Sequence, residues 1–380
     1  MNKSRIYFDH AATTPLLPEV REYIYEISKS IFGNPSSTHA EGRIAKSFVE
    51  EHRKIIATIL GCSTSELYFT AGGTESNNLI LKSAVHNLGV KKIISTKIEH
   101  SCNIECFEWL KRNCQTEINY VAVNQQGQID LNALEELLIK STSKTLVSLM
   151  HVNNELGTIL NLDPIGKLCK HYNALFHSDT VQGIGFYQYD LKSNALDFMS
   201  GSAHKFYAPK GVGFVYINQQ NKIEPLIHGG SQERNMRAGT ENILGIGAMS
   251  RALSWCHEQF EERMSHLQFI KNYMLTSLQQ NFVNLEFNTP IENSSAKILN
   301  VQFPFFEGSE LLPLILDIEG LSISGGSACN SGAEKASHVI SAIRPDDKGK
   351  AIRFSFAYSN TKLEVDKAIE ILLKSLKGKI

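Results

Sequence analysis

Short apolar runs alternate with amphipathic helical patterns between residues 67 and 217 of the chain. The segments 131–139 and 165–172 carry apolar residues at helical spacing and lie between such runs. Because strands that alternate with helices tend to pair in parallel and to be covered on both faces, the alternation predicts a mostly parallel sheet flanked by helices. The predicted strands are 67–70, 92–96, 145–150, 174–178, 195–199 and 213–217.

Polar clusters follow four of these predicted strands. They read AGGTESNN after Phe69, HVNNE after Met150, SDTVQ after His177 and SGSAHK after Met199. In a parallel sheet, ligands collect beyond the carboxyl ends of the strands, where such clusters would meet. The pattern therefore predicts one site at this edge of the sheet.

A second unit is predicted toward the C-terminus. A long helix is expected over 251–280, where apolar residues recur three or four positions apart, and it would bridge to that unit. Strands are predicted near 285–287, 296–303 and 352–356, with a closing helix at about 363–376. A chain of 380 residues is too long for one small core, so two domains are expected.

Composition narrows the class of protein. Hydrophobic content of 42%, charged content of 20% and a net charge of −1 are ordinary for a soluble globular protein. This charge gives no bulk attraction to nucleic acid or to a membrane, and neither partner is expected. The N-terminus lacks the apolar core of a signal peptide, and no stretch approaches the length of a membrane span. Seven scattered cysteines without a CxxC pair favour reduced thiols in the cytoplasm over disulfides or a metal site.

Lys205 lies in the stretch MSGSAHKFYAPKG at 199–211, just past a predicted strand end. Apolar neighbours there would desolvate its amine and lower its pKa, which an amine nucleophile needs. A solvated loop lysine is the alternative that this stretch alone leaves open.

The glycines Gly72 and Gly73 and the adjoining Thr74 lie between a predicted strand and a helical pattern. Backbone amides at a helix N-terminus, beside a threonine hydroxyl, can form a phosphate-binding cup. A tight turn with an N-cap accounts for the same residues equally well. The stretch is not a Walker loop, because no GK[ST] follows, and it lacks the GxGxxG spacing of a dinucleotide motif.

Four further polar residues are candidates for a site. Asp179 follows a predicted buried strand, so it is either a cap or a carboxylate paired with a cation, and Gln182 could lie on the same side. His100 could be structural or catalytic. Arg353 lies in the apolar segment AIRFSF and should have a carboxylate partner from the protein or from a ligand.

Cys329 is the seventh cysteine and lies in SGGSACNSG at 324–332. The small and polar residues around it are typical of a loop, whereas Cys169 and Cys256 have apolar neighbours. A thiol on a loop is a better candidate nucleophile than the thiols of the other six cysteines, although composition alone does not decide whether Cys329 is one.

Taken together, these motifs resemble those of a known enzyme family. The segments YFDHAATTP, FGNPSSTHAEGR, FTAGGTESNN, EHSCN, MHVNNELG, HSDTVQ, SGSAHKFYAPKG, HGGSQERNMRAGTEN, SGGSACNSG and IRFS occur in the order found in cysteine desulfurases of the NifS/IscS type. That family belongs to the class V aminotransferase group of pyridoxal-phosphate enzymes. The resemblance runs from Tyr7 to the last predicted helix and implies the fold-type I aminotransferase fold. It also implies a large cofactor-binding domain at 15–255 and a small domain made of 1–14 and 256–380, which carries the cysteine loop.

The resemblance implies roles for the reacting and substrate-binding residues. Lys205 would be the Schiff-base lysine, and Cys329 would take the sulfur. His100 would stack on the cofactor ring and shuttle protons, while Asn154 and Arg353 would bind the substrate carboxylate.

The resemblance also implies a set of residues that hold pyridoxal 5′-phosphate. Asp179 would pair with the pyridine nitrogen and Gln182 with the ring hydroxyl, and Thr240 would reach the phosphate of the neighbouring subunit's cofactor. The residues expected around the phosphate of the chain's own cofactor are Gly73, Thr74, Ser202, Ala203 and His204.

The implied activity is the conversion of L-cysteine to L-alanine by a homodimer, with the sulfur held on Cys329 as a persulfide for an acceptor protein. An iron–sulfur scaffold is one candidate acceptor, but the chain ends at Ile380 and lacks the longer tail that helps housekeeping members bind it. A selenocysteine lyase or another class V enzyme is one alternative. A non-catalytic partner protein that retains the fold is the other, but it would be expected to lose Lys205 or Arg353, and both are present. Cys329 argues against simple transamination, which needs no thiol at that position.

Overall fold

The computed structural model describes residues 5–193, 195–306, 309–325, 337–346 and 349–377. The helices are α1 (Pro18–Ser30), α2 (Ala40–Leu60), α3 (Gly73–His86), α4 (Ser101–Cys114), α5 (Leu131–Ile139), α6 (Leu162–His171), α7 (Ile243–Glu258), α8 (Phe260–Asn281), α9 (Leu312–Ile318), α10 (His338–Ile343) and α11 (Lys362–Leu376). The strands are β1 (Ile6–Tyr7), β2 (Leu67–Thr70), β3 (Lys92–Ser95), β4 (Glu117–Tyr120), β5 (Thr145–Ser148), β6 (Leu175–Asp179), β7 (Phe198–Ser202), β8 (Gly213–Ile217), β9 (Glu286–Phe287), β10 (Ile298–Phe303), β11 (Leu321–Ser322) and β12 (Lys350–Ser355).

In the part of the chain that the structure describes, the largest sheet has seven strands in the order β2-β8-β7-β6-β5-β3-β4. Strand β8 is antiparallel to both of its neighbours, and the other adjacent pairs are parallel. Strands β3, β5, β7 and β8 are buried along their whole length, as expected for a sheet covered by helices on both faces. The predicted mostly parallel sheet flanked by helices is confirmed.

A smaller antiparallel sheet, β12-β10-β9, belongs to the C-terminal part of the chain. Helix α8 packs against β10 and α11. Strand β1 pairs in parallel with β11, so the beginning of the chain joins this C-terminal part. The division into two domains, with boundaries at 15 and 256, stays a prediction.

The single helix predicted over 251–280 is wrong. Helix α7 ends at Glu258 and α8 begins at Phe260, with Gln259 between them at φ −98° and ψ 21°. Helix α7 packs against α1 and α2, whereas α8 packs against α11. Because each helix buries an apolar face, the apolar period continues across the break and conceals it in the sequence. None of the described helices is both long and apolar enough to cross a membrane.

A buried ion pair ties helix α2 to the loop that precedes α7. Arg53 donates to both carboxylate oxygens of Glu233 at 2.8 Å and to the carbonyl oxygen of Leu67 at 2.9 Å. Glu233 also accepts from the N–H of Phe69 at 2.7 Å, and its φ of 46° lies in the left-handed region. The Arg53 and Glu233 side chains are 2% and 3% exposed, so each charge depends on the other for compensation.

Replacing Arg53 with methionine should leave the buried Glu233 carboxylate without its cationic partner. We expect Arg53→Met to lower the free energy of unfolding by about 3–5 kcal/mol, as measured by urea unfolding. The matched control is Arg234→Met, because Arg234 pairs with Glu50 at the surface and such pairs contribute about 1 kcal/mol or less. Equal losses in the two variants would contradict a structural role for the buried pair.

Candidate active site

A cavity of about 300 Å³ lies at the carboxyl ends of β5, β6 and β7, beside the first turns of α3 and α4. This is the edge of the sheet where the polar clusters were predicted to meet. The sequence-predicted site residues that line it are Gly73, Thr74, His100, Asn154, Asp179, Gln182, Ser202, His204, Lys205 and Arg353.

Lys205 enters the cavity from a 3₁₀ turn, Ala203–Lys205, that follows β7 directly. Its Nζ donates to the carbonyl oxygens of Ala11 at 2.7 Å and Ala12 at 2.8 Å. These two carbonyls hold the amine against the wall of the cavity. The alternative of a solvated loop lysine is therefore wrong.

The N-terminus of α3 forms a second wall of the cavity. Gly72 adopts φ 152°, a conformation that favours glycine, and a Cβ built on it would lie 3.4 Å from Oγ of Ser202. A Cβ on Gly73 would lie only 2.6 Å from a methyl carbon of Val181. Gly72 is the N-cap and has no side chain to occupy the first N–H groups of the helix, and Gly73 and Thr74 line the cavity. Such a helix N-terminus favours an anion.

Asp179 ends β6 and is held from two sides. Nδ2 of Asn77 donates to its Oδ2 at 2.7 Å, and the N–H of Val181 donates to its Oδ1 at 3.0 Å. Behind Asn77, Nε2 of His177 lies 3.2 Å from the Asn77 Oδ1, and the hydroxyl of Ser148 lies 2.9 Å from the His177 Nδ1. Burial lowers the pKa of His177 to about 3, so this histidine is a neutral link that orients the Asn77 amide.

Two histidines contact the cavity in neutral form. His100 is the N-cap of α4, and its Nδ1 accepts from the N–H of Cys102 at 3.2 Å, which places the ring proton on Nε2. Burial lowers the pKa of His100, and the charge of Asp179 opposes this effect. Burial and the charge of Lys205 lower the pKa of His204 to about 3, and its Nδ1 lies 3.1 Å from the hydroxyl of Thr13.

Arg353 is almost fully buried and has the protein carboxylate partner that its sequence context predicts. Its Nη2 donates to Oδ1 of Asp9 at 2.7 Å, and its Nη1 donates to the carbonyl oxygen of Asn154 at 2.8 Å. Within the described residues, Nε of Arg353 and Oδ1 of Asn154 are buried without a hydrogen-bond partner. The two side chains thus offer a donor and an acceptor at the same end of the cavity.

Three predicted site residues are not placed in this cavity. Ala203 is buried, and its N–H donates to the carbonyl oxygen of Val212 at 3.1 Å. Thr240 is exposed and lines a different cavity of about 140 Å³. Cys329 lies outside the described residues. The chain before it pairs with Arg353 through the backbone of Ser324.

The chain after the undescribed segment 326–336 also returns to the cavity. The hydroxyl of Ser337 donates to Oε2 of Glu155 at 2.5 Å, and Nε2 of His338 lies 2.8 Å from the carbonyl oxygen of Glu99. Glu155 and His338 both line the cavity. The flanks of the segment that contains Cys329 are therefore anchored at the cavity.

Several residues that line the site were not singled out from the sequence. Ala11 and Ala12 act through backbone carbonyls, which no side-chain pattern can indicate. Asn77 lies one turn into α3, in the segment TESNN, where a polar residue at a buried helix position was the available signal. Cys102 also lines the cavity, and burial raises the pKa of its thiol to about 12.

Comparison with known proteins agrees with this geometry. The model of the class-V aminotransferase family matches residues 6–368. The chain is 40% identical to a cysteine desulfurase IscS of Dictyoglomus turgidum, covering 97% of this chain and 94% of that protein. It is 38% identical to a putative cysteine desulfurase IscS 1 of Bacillus subtilis, covering 96% of each. A solved NifS-like protein superposes with a TM-score of 0.90 at 35% identity, covering 98% of this chain and 99% of that one. The chain therefore belongs to the class-V aminotransferase family, among the cysteine desulfurases of the NifS/IscS type, and has their fold-type I architecture.

Proposed function

We propose that the protein is a pyridoxal-phosphate-dependent L-cysteine desulfurase. It would convert L-cysteine to L-alanine and transfer the sulfur to Cys329 as a persulfide. The observation that carries this proposal is the meeting of Lys205, Asp179 and the uncapped N-terminus of α3 in one cavity of about 300 Å³.

The residues around the cavity fit a phosphorylated pyridine aldehyde. An amine, a carboxylate and an anion-binding helix N-terminus match its aldehyde, its ring nitrogen and its phosphate in turn. We assign the aldehyde to Lys205, the ring nitrogen to Asp179, and the phosphate to Gly73, Thr74, Ser202 and His204, with Ala203 retained from the family resemblance. Gln182 would contact the ring hydroxyl, and His100 would stack on the ring. When bound, pyridoxal 5′-phosphate supplies the electron sink that stabilises negative charge at the substrate α-carbon.

The protein's own groups would bind the substrate and move its protons. Arg353 and Asn154, which both line the cavity, would bind the carboxylate through N–H donors: the unpartnered Nε of Arg353 and the amide NH2 group of Asn154. Lys205 would carry the proton that leaves and returns to the substrate α-carbon. The thiolate of Cys329 would form an S–S bond with the substrate sulfur while the substrate C–S bond breaks. The carbon then retains the electron pair and gains a proton, so alanine is the product.

The partners follow from the same chemistry. The persulfide on Cys329 would be delivered to a sulfur-acceptor protein, for iron–sulfur cluster or thio-cofactor biosynthesis. We propose a homodimer in which the exposed Thr240 reaches the phosphate of the other subunit's cofactor. We also propose a cytoplasmic location, since the six described cysteines are free thiols, a state that a reducing compartment preserves.

Lys205→Ala should prevent covalent attachment of the cofactor. After incubation with pyridoxal 5′-phosphate and desalting, we expect the variant to lack the visible absorbance of covalently bound cofactor. After borohydride reduction, we expect it to lack the added mass at this peptide. Lys210→Ala is the matched control, because Lys210 is exposed and lies in the same stretch. Cofactor covalently fixed in the Lys205 variant as in the control would reject the assignment.

Cys329→Ala should retain bound cofactor but lose sulfur transfer. We expect sulfide and alanine production from L-cysteine to fall by roughly a thousandfold or more, and the enzyme persulfide to disappear. Cys102→Ala is the comparison, because the Cys102 thiol has a pKa raised to about 12 and stays protonated. A persulfide that depends on Cys102 rather than on Cys329 would refute the assignment of the nucleophile.

Thr240→Val should weaken cofactor binding by about tenfold, because one hydrogen bond to the phosphate is lost across the dimer interface. Hybrid dimers of Lys205→Ala and Thr240→Val subunits test the geometry. One of their two sites combines an intact Lys205 with the partner's intact threonine, so half of the sites should regain full affinity in a titration. Hybrids without recovery, or a monomer with full affinity, would exclude the shared site.

A further inference from the structure

Lys297, just before β10, is a lysine in the interior of the protein. It is 1% exposed, and its Nζ donates to the carbonyl oxygen of Lys205 at 3.0 Å. Its second contact is Oε1 of Gln182 at 3.4 Å, and the ring centroid of Phe186 lies 4.3 Å away. No described carboxylate forms an ion pair with it.

This burial is unfavourable for the lysine itself. Burial lowers the pKa of Lys297 well below its usual value, and the positive charges of Lys205, Arg263 and Arg353 lower it further, while Cys256 opposes them. A methionine would fill a similar volume without the cost of a buried amine. Because the buried amine contributes little to the stability of the fold, we examine its effect on the two groups that it contacts, the Gln182 side chain and the Lys205 carbonyl.

The contact with Gln182 fixes the orientation of an amide in the cavity wall. Nε2 of Gln182 donates to the carbonyl oxygen of Ala11 at 2.9 Å, and Oε1 faces the amine of Lys297. An amide rotated by 180° would place its oxygen against the Ala11 carbonyl and its NH2 group against the lysine. The two neighbours therefore select the orientation in which Gln182 presents an N–H donor beside the cavity.

The same amine also supports the turn that carries Lys205. Lys297 holds the Lys205 carbonyl, while the carbonyl of Ala11 accepts from both Gln182 and the Nζ of Lys205. The buried side chain of Lys297 thus contacts both the Gln182 amide and the backbone of Lys205. We propose that Lys297 is a positioning residue for the cofactor site, acting through the Gln182 amide and the Lys205 backbone. This inference rests on the proposed function.

Lys271 provides a matched control within the same part of the chain. It is 4% exposed, and its Nζ donates to Oγ of Ser294 at 2.7 Å and to the carbonyl oxygen of Ser295 at 2.9 Å. Burial lowers its pKa to about 8. It resembles Lys297 in burial and in neutral partners but contacts no residue that lines the cavity.

The experiment compares Lys297→Met with Lys271→Met in the full chain. Three quantities are measured: the thermal midpoint without cofactor, the dissociation constant for pyridoxal 5′-phosphate, and the visible spectrum of the loaded protein as a function of pH. We expect Lys297→Met to weaken cofactor binding by about tenfold and to shift the spectral titration, because an oriented donor is lost. We expect Lys271→Met to change neither the cofactor affinity nor the spectral titration. Lys297→Gln keeps an N–H donor, so its affinity should lie between that of Lys297→Met and that of the wild type.

A double-mutant cycle with Gln182→Ala separates positioning from general stability. If Lys297 acts through Gln182, the effect of Lys297→Met on affinity should shrink in the Gln182→Ala background. Should Lys297→Met fail to fold, Lys297→Gln takes its place in the cycle. Unchanged affinity and spectrum, or equal losses in the Lys271 control, overturn the inference while leaving the proposed function intact. A wild-type protein that binds no pyridoxal 5′-phosphate overturns both.

Discussion

The register of β6 against β7 determines where the chemistry of this protein can occur. Asp179 pairs with Ser200 in this parallel register, so the strand that ends in the carboxylate lies beside the one that leads into the lysine-bearing turn. A slip of one residue would turn Asp179 to the opposite face of the sheet. Both strands are buried on both faces, which makes such a slip very unfavourable. The packing of the sheet thus maintains the distance between Asp179 and Lys205, the two groups that the proposed cofactor would span.

The N-terminal segment connects the large sheet to the C-terminal part. The Ala11 carbonyl accepts from Lys205 and Gln182, while its N–H donates to Oγ of Ser355. Asp9, two residues earlier, pairs with Arg353. The short turn at residues 9–12 therefore holds both the amine of Lys205 and the guanidinium of Arg353 at the cavity. Because one segment contacts both, a shift of these residues would move the amine of Lys205 and the guanidinium of Arg353 together.

The sequence predicts the elements of this fold better than their exact ends. Buried strands are apolar runs, and most were found in place, but β7 extends from Phe198 to Ser202 rather than over 195–199. Ser200 and Ser202 are buried small residues, which an apolar criterion treats as loop. The polar clusters and the motif resemblance indicated the candidate side chains of the site. The roles of the Ala11 carbonyl and of the Lys297 amine could not be predicted, since they depend on contacts between residues far apart in the chain.

The charges around the cavity affect which cysteine thiol can ionise to a thiolate. Cys102 lies near Asp179, and this negative charge adds to burial in raising the pKa of the Cys102 thiol. Arg353, which also lines the cavity, pairs through its backbone with Ser324, which precedes the segment that contains Cys329. Positive charge stabilises a thiolate and negative charge opposes it. Burial and the charge of Asp179 therefore disfavour a thiolate at Cys102, although Cys102 is part of the cavity wall.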